Sequence, residues 1–454
     1  MTPSDVQGKK ATVVGGARSG LAVARLLATA GAEVFLTEQD TATEGLKEAL
    51  DADGIDYEFG GHTRRAIDAD FFAISPGVPS NINLLQQARR NGLAIYSEIE
   101  VASWFCEAPI VAITGTNGKT TTTSLAGHIF RTAERAPIVA GNIGFPFSDY
   151  VLDTTPDDTV ILEVSSFQLD HIDTFRPRVS VILNITPDHL DRYDNDFNRY
   201  AQAKFRIFEN QHGDDVLIYN HDDDLIREYV AWNAEQEGLT TLGFSQKEEL
   251  DAGAFIRDET IILRINDQEE VLMQAEEVAL RGRHNLYNSL AAAVAARVME
   301  VRSDVVRESL TTFEGVPHRL EEVRTVQGVQ FVNDSKATNV NSVWYALESF
   351  NRPIVLIAGG RDKGNDYSAI KPLVREKVRG VVAIGESAAK VLNEIGTLAD
   401  EQGMAATMED AIQQARRMAH HGDVVLLSPA CSSFDMYDNY EDRGDTFRRL
   451  VNSL

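Results

Sequence analysis

Again and again along this sequence a short apolar, β-branched run gives way to a polar or glycine-rich turn and then to a longer amphipathic stretch. The runs lie at residues 12–14, 34–36, 71–74, 110–113, 160–162, 179–183, 216–219, 354–358, 381–384 and 424–427. They lack the polar alternation of a half-exposed strand. They therefore predict strands covered on both faces by helices, in largely parallel sheets, and the fold class is α/β. Ligands of such sheets bind beyond the carboxyl ends of the strands. The unusual residues of this sequence gather there.

The chain has 454 residues, more than one core organises, so two or three domains are expected. One glycine turn follows the first run and a second follows residues 110–113. A third block starts near Gly315-Val316-Pro317, after an alanine-rich helical stretch at 286–298. Residues 246–277, rich in charge and short alternations, suggest a small antiparallel insert. No apolar run approaches the roughly 20 residues of a membrane span. Residues 1–10 lack the apolar block of a signal peptide, and two cysteines make no disulfide framework, so a cytoplasmic location is expected. The net charge of −26 disfavours nucleic acid and anionic lipid as partners. Only 11 of the 43 cationic residues are lysine, so each lysine invites a question.

The most specific motif is Gly115-Thr116-Asn117-Gly118-Lys119-Thr120-Thr121-Thr122. A glycine turn between strand and helix aims backbone N–H groups at phosphate oxygens, and the helix start adds partial positive charge. Lys119 suits the β/γ-phosphates and the Thr120 hydroxyl suits Mg²⁺. The spacing is shorter than Gly-x4-Gly-Lys-Ser/Thr, and the alternative is an ordinary turn with a solvated lysine. Glu163 ends the run at 160–162. A carboxylate there is costly unless paired or metal-bound, so it reads as a Mg²⁺ ligand or water-holder, or else as a strand-end acid reaching solvent. His189, in Thr186-Pro187-Asp188-His189, is a candidate metal ligand or an ordinary loop histidine. Lys204 lies in an amphipathic stretch and by itself reads as a surface lysine.

Further along, Arg319 offers a planar donor for phosphate. Asn333-Asp334-Ser335-Lys336-Ala337-Thr338-Asn339, Gly359-Gly360-Arg361-Asp362-Lys363-Gly364 and Ser428-Pro429-Ala430-Cys431-Ser432-Ser433 each follow a strand-like run. Taken singly they are ordinary polar turns; together they place Lys336, Lys363 and hydroxyls on one sheet edge suited to an anion. The first turn, Gly15-Gly16-Ala17-Arg18-Ser19-Gly20, has Ala17 where Gly-x-Gly-x-x-Gly requires its second glycine. A pyrophosphate remains compatible with it, with Arg18 adding charge.

Taken in order, these segments, with Gly141-Asn142-Ile143-Gly144, resemble the Mur ligase family from the first glycine turn to the C-terminus. Segments 334–339 and 428–431 resemble its D-glutamate-adding member. The resemblance implies three domains: a Rossmann-like UDP-substrate domain at 1–97, a P-loop ATPase-type domain with a mostly parallel sheet at 98–315, and a Rossmann-like amino-acid domain at 316–454. It implies ATP-dependent ligation of D-glutamate to UDP-N-acetylmuramoyl-L-alanine through an acyl phosphate, by a monomer that uses two Mg²⁺ sites. Gly115, Thr116, Asn117, Gly118, Lys119, Thr120, Thr121, Asn285, Asn288, Arg319 and Asp334 would serve ATP. Arg18, Ser19, Ser75, Gly77 and Asn142 would hold the UDP-sugar substrate. Lys336, Thr338, Lys363, Ser433 and Tyr440 would surround D-glutamate. Thr120, Glu163, His189 and a CO2-carbamylated Lys204 would hold metal, with Lys119, Glu163, His189 and Lys204 at the chemistry.

Competing readings are a related Mur or folylpolyglutamate-type ligase with another acceptor, a nicotinamide dehydrogenase using the first turn, and a non-catalytic nucleotide switch. A substrate panel separates the first. NAD(P)H binding without an ATP requirement would mark the second, and nucleotide binding without turnover the third.

Overall fold

The computed structural model describes every residue except 43, 44, 234–237, 281 and 363. It contains three sheets. The first comprises β1 (Lys10–Val14), β2 (Glu33–Glu38), β3 (Asp56–Phe59), β4 (Phe71–Ile74) and β5 (Ala94–Ser97). Their order is β3-β2-β1-β4-β5, all parallel. Strand order reverses between β1 and β4, which opens a crevice at their carboxyl ends.

The second sheet runs through β6 (Ile110–Thr114), β7 (Ile138–Gly141), β8 (Val160–Glu163), β9 (Val179–Ile182), β10 (Val216–Asn220), β11 (Thr240–Ser245), β12 (Gly253–Arg257), β13 (Thr260–Ile265) and β14 (Gln268–Gln274). The order is β14-β13-β12-β11-β10-β9-β6-β8-β7. It is parallel from β7 to β12 and antiparallel from β12 to β14. Strands β6, β8 and β9 are buried along their whole length, and each fully buried Val, Leu or Ile stabilises the fold by roughly 1.5–3 kcal/mol. The expected antiparallel segment at 246–277 is present as β12, β13 and β14, and it continues this sheet because β12 pairs parallel with β11. Gly253 allows it: a Cβ there would overlap the Gly243 carbonyl.

The third sheet comprises β15 (Glu321–Val326), β16 (Val329–Asn333), β17 (Ile354–Gly359), β18 (Val378–Ile384), β19 (Glu401–Ala405) and β20 (Val424–Leu427). The order is β15-β16-β20-β17-β18-β19, with only β15 antiparallel. Because β16, β20 and β17 are adjacent and parallel, the turns after them emerge on one edge.

The chain forms two compact units. Met1–Ala279 and Tyr287–Phe313 form one, with the first and second sheets; Leu280–Leu286 and Glu314–Leu454 form the other. Within the first unit two buried carboxylates on helix Glu98–Ser103 join the sheets. Glu100 accepts from the Trp104 indole and from the N–H groups of Asp173, Thr174 and Phe175. Glu98 Oε1 accepts from the Ser148 N–H and hydroxyl at 2.7 Å each, while Oε2 has no partner. Among the described residues no helix is long and apolar enough to cross a membrane.

Candidate active site

The turn after β6 carries Gly115 and Gly118 in left-handed conformations, φ 155° and 86°. A Cβ on Gly118 would overlap Asn288 Oδ1, so this glycine is required both for φ and for contact with Asn288. Helix Lys119–Thr132 starts directly behind it. The loop is fastened to residues 184–186. The Thr116 N–H donates to the Asn184 carbonyl at 2.8 Å, and the Asn117 N–H to Asn184 Oδ1 at 2.8 Å. The Thr116 hydroxyl meets the Thr186 carbonyl and the Tyr200 hydroxyl, each at 3.0 Å.

Two ammonium-bearing chains converge on one carbonyl. Lys119 Nζ donates to the carbonyls of Gly115 and Thr116 at 2.8 Å, and Lys204 Nζ donates to Gly115 at 2.8 Å. Lys204 is 2% exposed, so the surface reading of this residue is wrong. It sits on the inward face of helix Phe197–Phe205, with its amine 4.8 Å from the centre of the Tyr200 ring. Burial, then the charge of Lys119, depress its pKa well below the lysine norm; Asp188 and Glu163 oppose this.

Glu163 ends β8 and is 2% exposed, so it is not a solvent-reaching acid. Asn142 Nδ2 donates to its Oε1 at 3.0 Å, and Oε2 is buried without a partner. A half-satisfied buried carboxylate beside a phosphate-type turn fits a divalent cation. His189, φ 49°, has its side chain 46% exposed and its Nε2 3.8 Å from Asp188 Oδ2. Thr120 and Thr121 are buried on the first turn of the helix, and the Thr121 hydroxyl has no partner. Among the described residues no three His, Cys, Asp or Glu side chains cluster as a metal cage. Glu163 beside the buried threonines of the helix start suits Mg²⁺, which keeps waters and takes ligands from phosphate.

A cleft of about 1460 Å³ opens at the carboxyl ends of the first sheet, and Arg18, Ser19, Ser75, Gly77 and Asn142 all line it. Gly20 packs so closely that a Cβ would overlap the Gly15 carbonyl. The Gly16 N–H, which a pyrophosphate would have sought, donates instead to Glu38 Oε2 at 2.6 Å. Glu38, Asp40, His62 and Arg64 also line this cleft, and no motif in the sequence assigns them to it. Their signal was position alone, at or just beyond the ends of β2 and β3.

In the other unit, Asp334 is buried after β16, accepting from the Ser428 hydroxyl at 2.8 Å and the Leu320 N–H at 3.2 Å. Burial pushes its pKa up to about 7, against Ser428 and the Arg319 charge. Lys336 Nζ lies 5.2 Å from the Tyr440 ring centre. The Thr338 N–H donates to the Lys336 carbonyl at 2.9 Å, and Ser433 is buried after β20. Asn285 is buried in the segment that clusters with this unit. Lys363 lies outside the described residues. Arg443, also missed, is buried on helix Tyr440–Asn452 and fixes two of the turns. It donates to the Ser335 hydroxyl and carbonyl and to the Cys431 carbonyl at 2.8–3.1 Å.

Three family models match in order. The MurD N-terminal domain matches residues 10–83, the Mur ligase middle domain 113–296, and the Mur ligase glutamate ligase domain 318–431. The UDP-N-acetylmuramoylalanine–D-glutamate ligase of Salinibacter ruber is 66% identical over 459 aligned residues, spanning all of both chains. The chain belongs to the Mur ligase family. A ligase of the same description from Chloroherpeton thalassium is 45% identical, again over all of both chains. Two solved Mur ligases of Thermotoga maritima share the fold. The UDP-N-acetylmuramate–alanine ligase MurC gives a TM-score of 0.59 at 20% identity, covering 98% of this chain and 99% of its own. The MurF ligase in complex with ADP gives 0.60 at 16%, covering 100% and 97%.

Proposed function

We infer that this Mur ligase joins D-glutamate to UDP-N-acetylmuramoyl-L-alanine in peptidoglycan precursor synthesis, consuming ATP. The observation that carries this is the 66% identity to a D-glutamate ligase across the entire chain, the turns of the third sheet included. We divide the chain into functional domains at 1–97, 98–315 and 316–454, and place it in the cytoplasm as a monomer.

A carboxylate acylates poorly. Its oxygen attacks the γ-phosphorus of ATP, the bond to ADP breaks, and an acyl phosphate results. Lys119 steadies the charge that moves between oxygens, and the backbone of Gly115–Gly118 orients the phosphates. Mg²⁺, when bound, neutralises phosphate charge. Thr120, Glu163 and His189 would hold it. Lys204 would add a ligand at a second site: its buried amine, once deprotonated, would attack CO2, the N–C bond forming as a C–O π bond opens and a proton leaves the nitrogen, and the carbamate would supply oxygen ligands. Asn142 positions both Glu163 and the sugar substrate, with Arg18, Ser19, Ser75 and Gly77 along the same cleft. The amine of D-glutamate, having lost a proton, attacks the acyl carbon, and the C–O bond to phosphate breaks. Lys336, Lys363, Thr338, Ser433 and Tyr440 hold its carboxylates. Arg319, Asp334, Asn285 and Asn288 hold ATP.

The test is a substrate panel with ADP release as readout. Release is expected only with UDP-N-acetylmuramoyl-L-alanine and D-glutamate together. Equal release with another amino acid, or with a folate acceptor, overturns the assignment.

A further inference from the structure

A second cleft, of about 950 Å³, lies within the first unit between helices Asn83–Arg90 and Phe197–Phe205. It shares only Pro79 and Asn81 with the larger cleft. Four arginines line it, Arg89, Arg192, Arg199 and Arg206. In a chain of net charge −26 such a concentration needs a reason, because most of this surface repels anions.

Three aspartates share the lining, and Glu209, outside it, pairs with Arg206 at 2.7 Å. Asp194 is paired with Arg199. Asp170 accepts from the Tyr193 hydroxyl at 2.9 Å, and burial raises its pKa against the opposing pull of Tyr193, Arg206, Arg192 and Arg199. Asp191 is the third. His171 forms part of the wall, buried, with Nε2 3.0 Å from the Ser80 hydroxyl. Burial, then the charges of Arg89 and Arg206, pull its pKa down to about 4.

We propose that this arginine-lined cleft binds a small, multiply charged phosphate-bearing anion, apart from the nucleotide loop and the sugar-substrate cleft. Guanidinium forks match phosphate oxygens in pairs. The cleft has a route to the chemistry. Arg192 lies 4.6 Å from the Phe167 ring centre and donates to the carbonyls of Pro76 and Gly77, at 3.1 and 3.3 Å. Pro76 and Gly77 line the larger cleft, and His189 is three residues before Arg192. An anion that draws on Arg192 competes with those carbonyls and loosens the segment that carries His189.

Isothermal titration of inorganic pyrophosphate into the full chain, without divalent cations, tests this. Three proteins are compared: wild type, Lys119→Ala, and the double variant Arg89→Gln/Arg199→Gln. Lys119→Ala should keep one binding component. The double variant should weaken that component by about tenfold or more, the scale of losing charge-assisted hydrogen bonds. Its ligase rate without pyrophosphate should stay within about twofold of wild type, as for surface changes outside the reacting groups. Should the double variant not fold, Arg199→Gln alone, at an exposed side chain, should show a smaller loss in the same direction. Absence of binding, loss of all binding in Lys119→Ala, or an unchanged component in the arginine variants overturns the proposal. Citrate displacing pyrophosphate with equal strength overturns its phosphate part.

Discussion

Lys204 shows how far a single residue can depart from its local sequence. Its neighbours describe an amphipathic helix, and nothing in that pattern says which lysine turns inward. The fold turns it inward, against Gly115 and Tyr200. Lys204→Ala should cut kcat by about 100-fold or more, as loss of a charge stabiliser at the reacting centre does. Bicarbonate or acetate should restore part of the rate only if a carboxylate is what the side chain supplies; full activity in the variant removes Lys204 from the mechanism. Glu98 gives a second, independent prediction. Burial raises its pKa to about 7, with Asp149 adding in the same direction and Ser148 opposing. A carboxyl whose folded pKa is raised contributes stability present at low pH and lost as pH climbs through about 7. Glu98→Gln keeps an acceptor for Ser148 and cannot ionise. Denaturant unfolding should find the variant equal to wild type near pH 5 and more stable by a few kcal/mol near pH 8.5. The same stability difference at both pH values contradicts the assignment.

Among the elements, what could be read from the sequence follows from burial. Nine of the ten apolar runs lie within strands and the tenth, 179–183, overruns β9 by one residue; strands such as β6, β8, β9 and β20 are buried throughout. The strands that gave no signal include β3, β5, β7 and β19, and all four are at sheet edges. An edge strand buries fewer side chains, so β19, Glu-Gln-Gly-Met-Ala, has nothing apolar enough to stand out. The turns were legible because glycine and polar residues were concentrated after buried strands. Glu98, Glu100 and Arg443 were not, because their partners lie 50, 75 and 108 residues away, as with Ser148, Phe175 and Ser335. Gly118→Ala combines a left-handed φ with an overlap on Asn288, and strain of this type costs about 1–3 kcal/mol. A lower thermal midpoint together with a raised KM for ATP is expected; unchanged values of both would mean that the loop tolerates a side chain there.

For the whole molecule the dominant fact is charge. At −26 the folded chain works against its own repulsion, which salt screens over about 10 Å at 0.1 M and about 3 Å at 1 M. The thermal midpoint should rise as KCl goes from low concentration towards 1 M, and a flat or falling profile contradicts this. The same charge makes the few buried or converging cations stand out, Lys119 and Lys204 first among them. The most direct measurement is single-turnover formation of the D-glutamyl product by Lys119→Met, with folding verified by an unfolding midpoint close to that of wild type. The rate should fall by about 100-fold or more. Product formed at the wild-type rate would contradict the assignment of residues 115–121 as the site where ATP activates the acid.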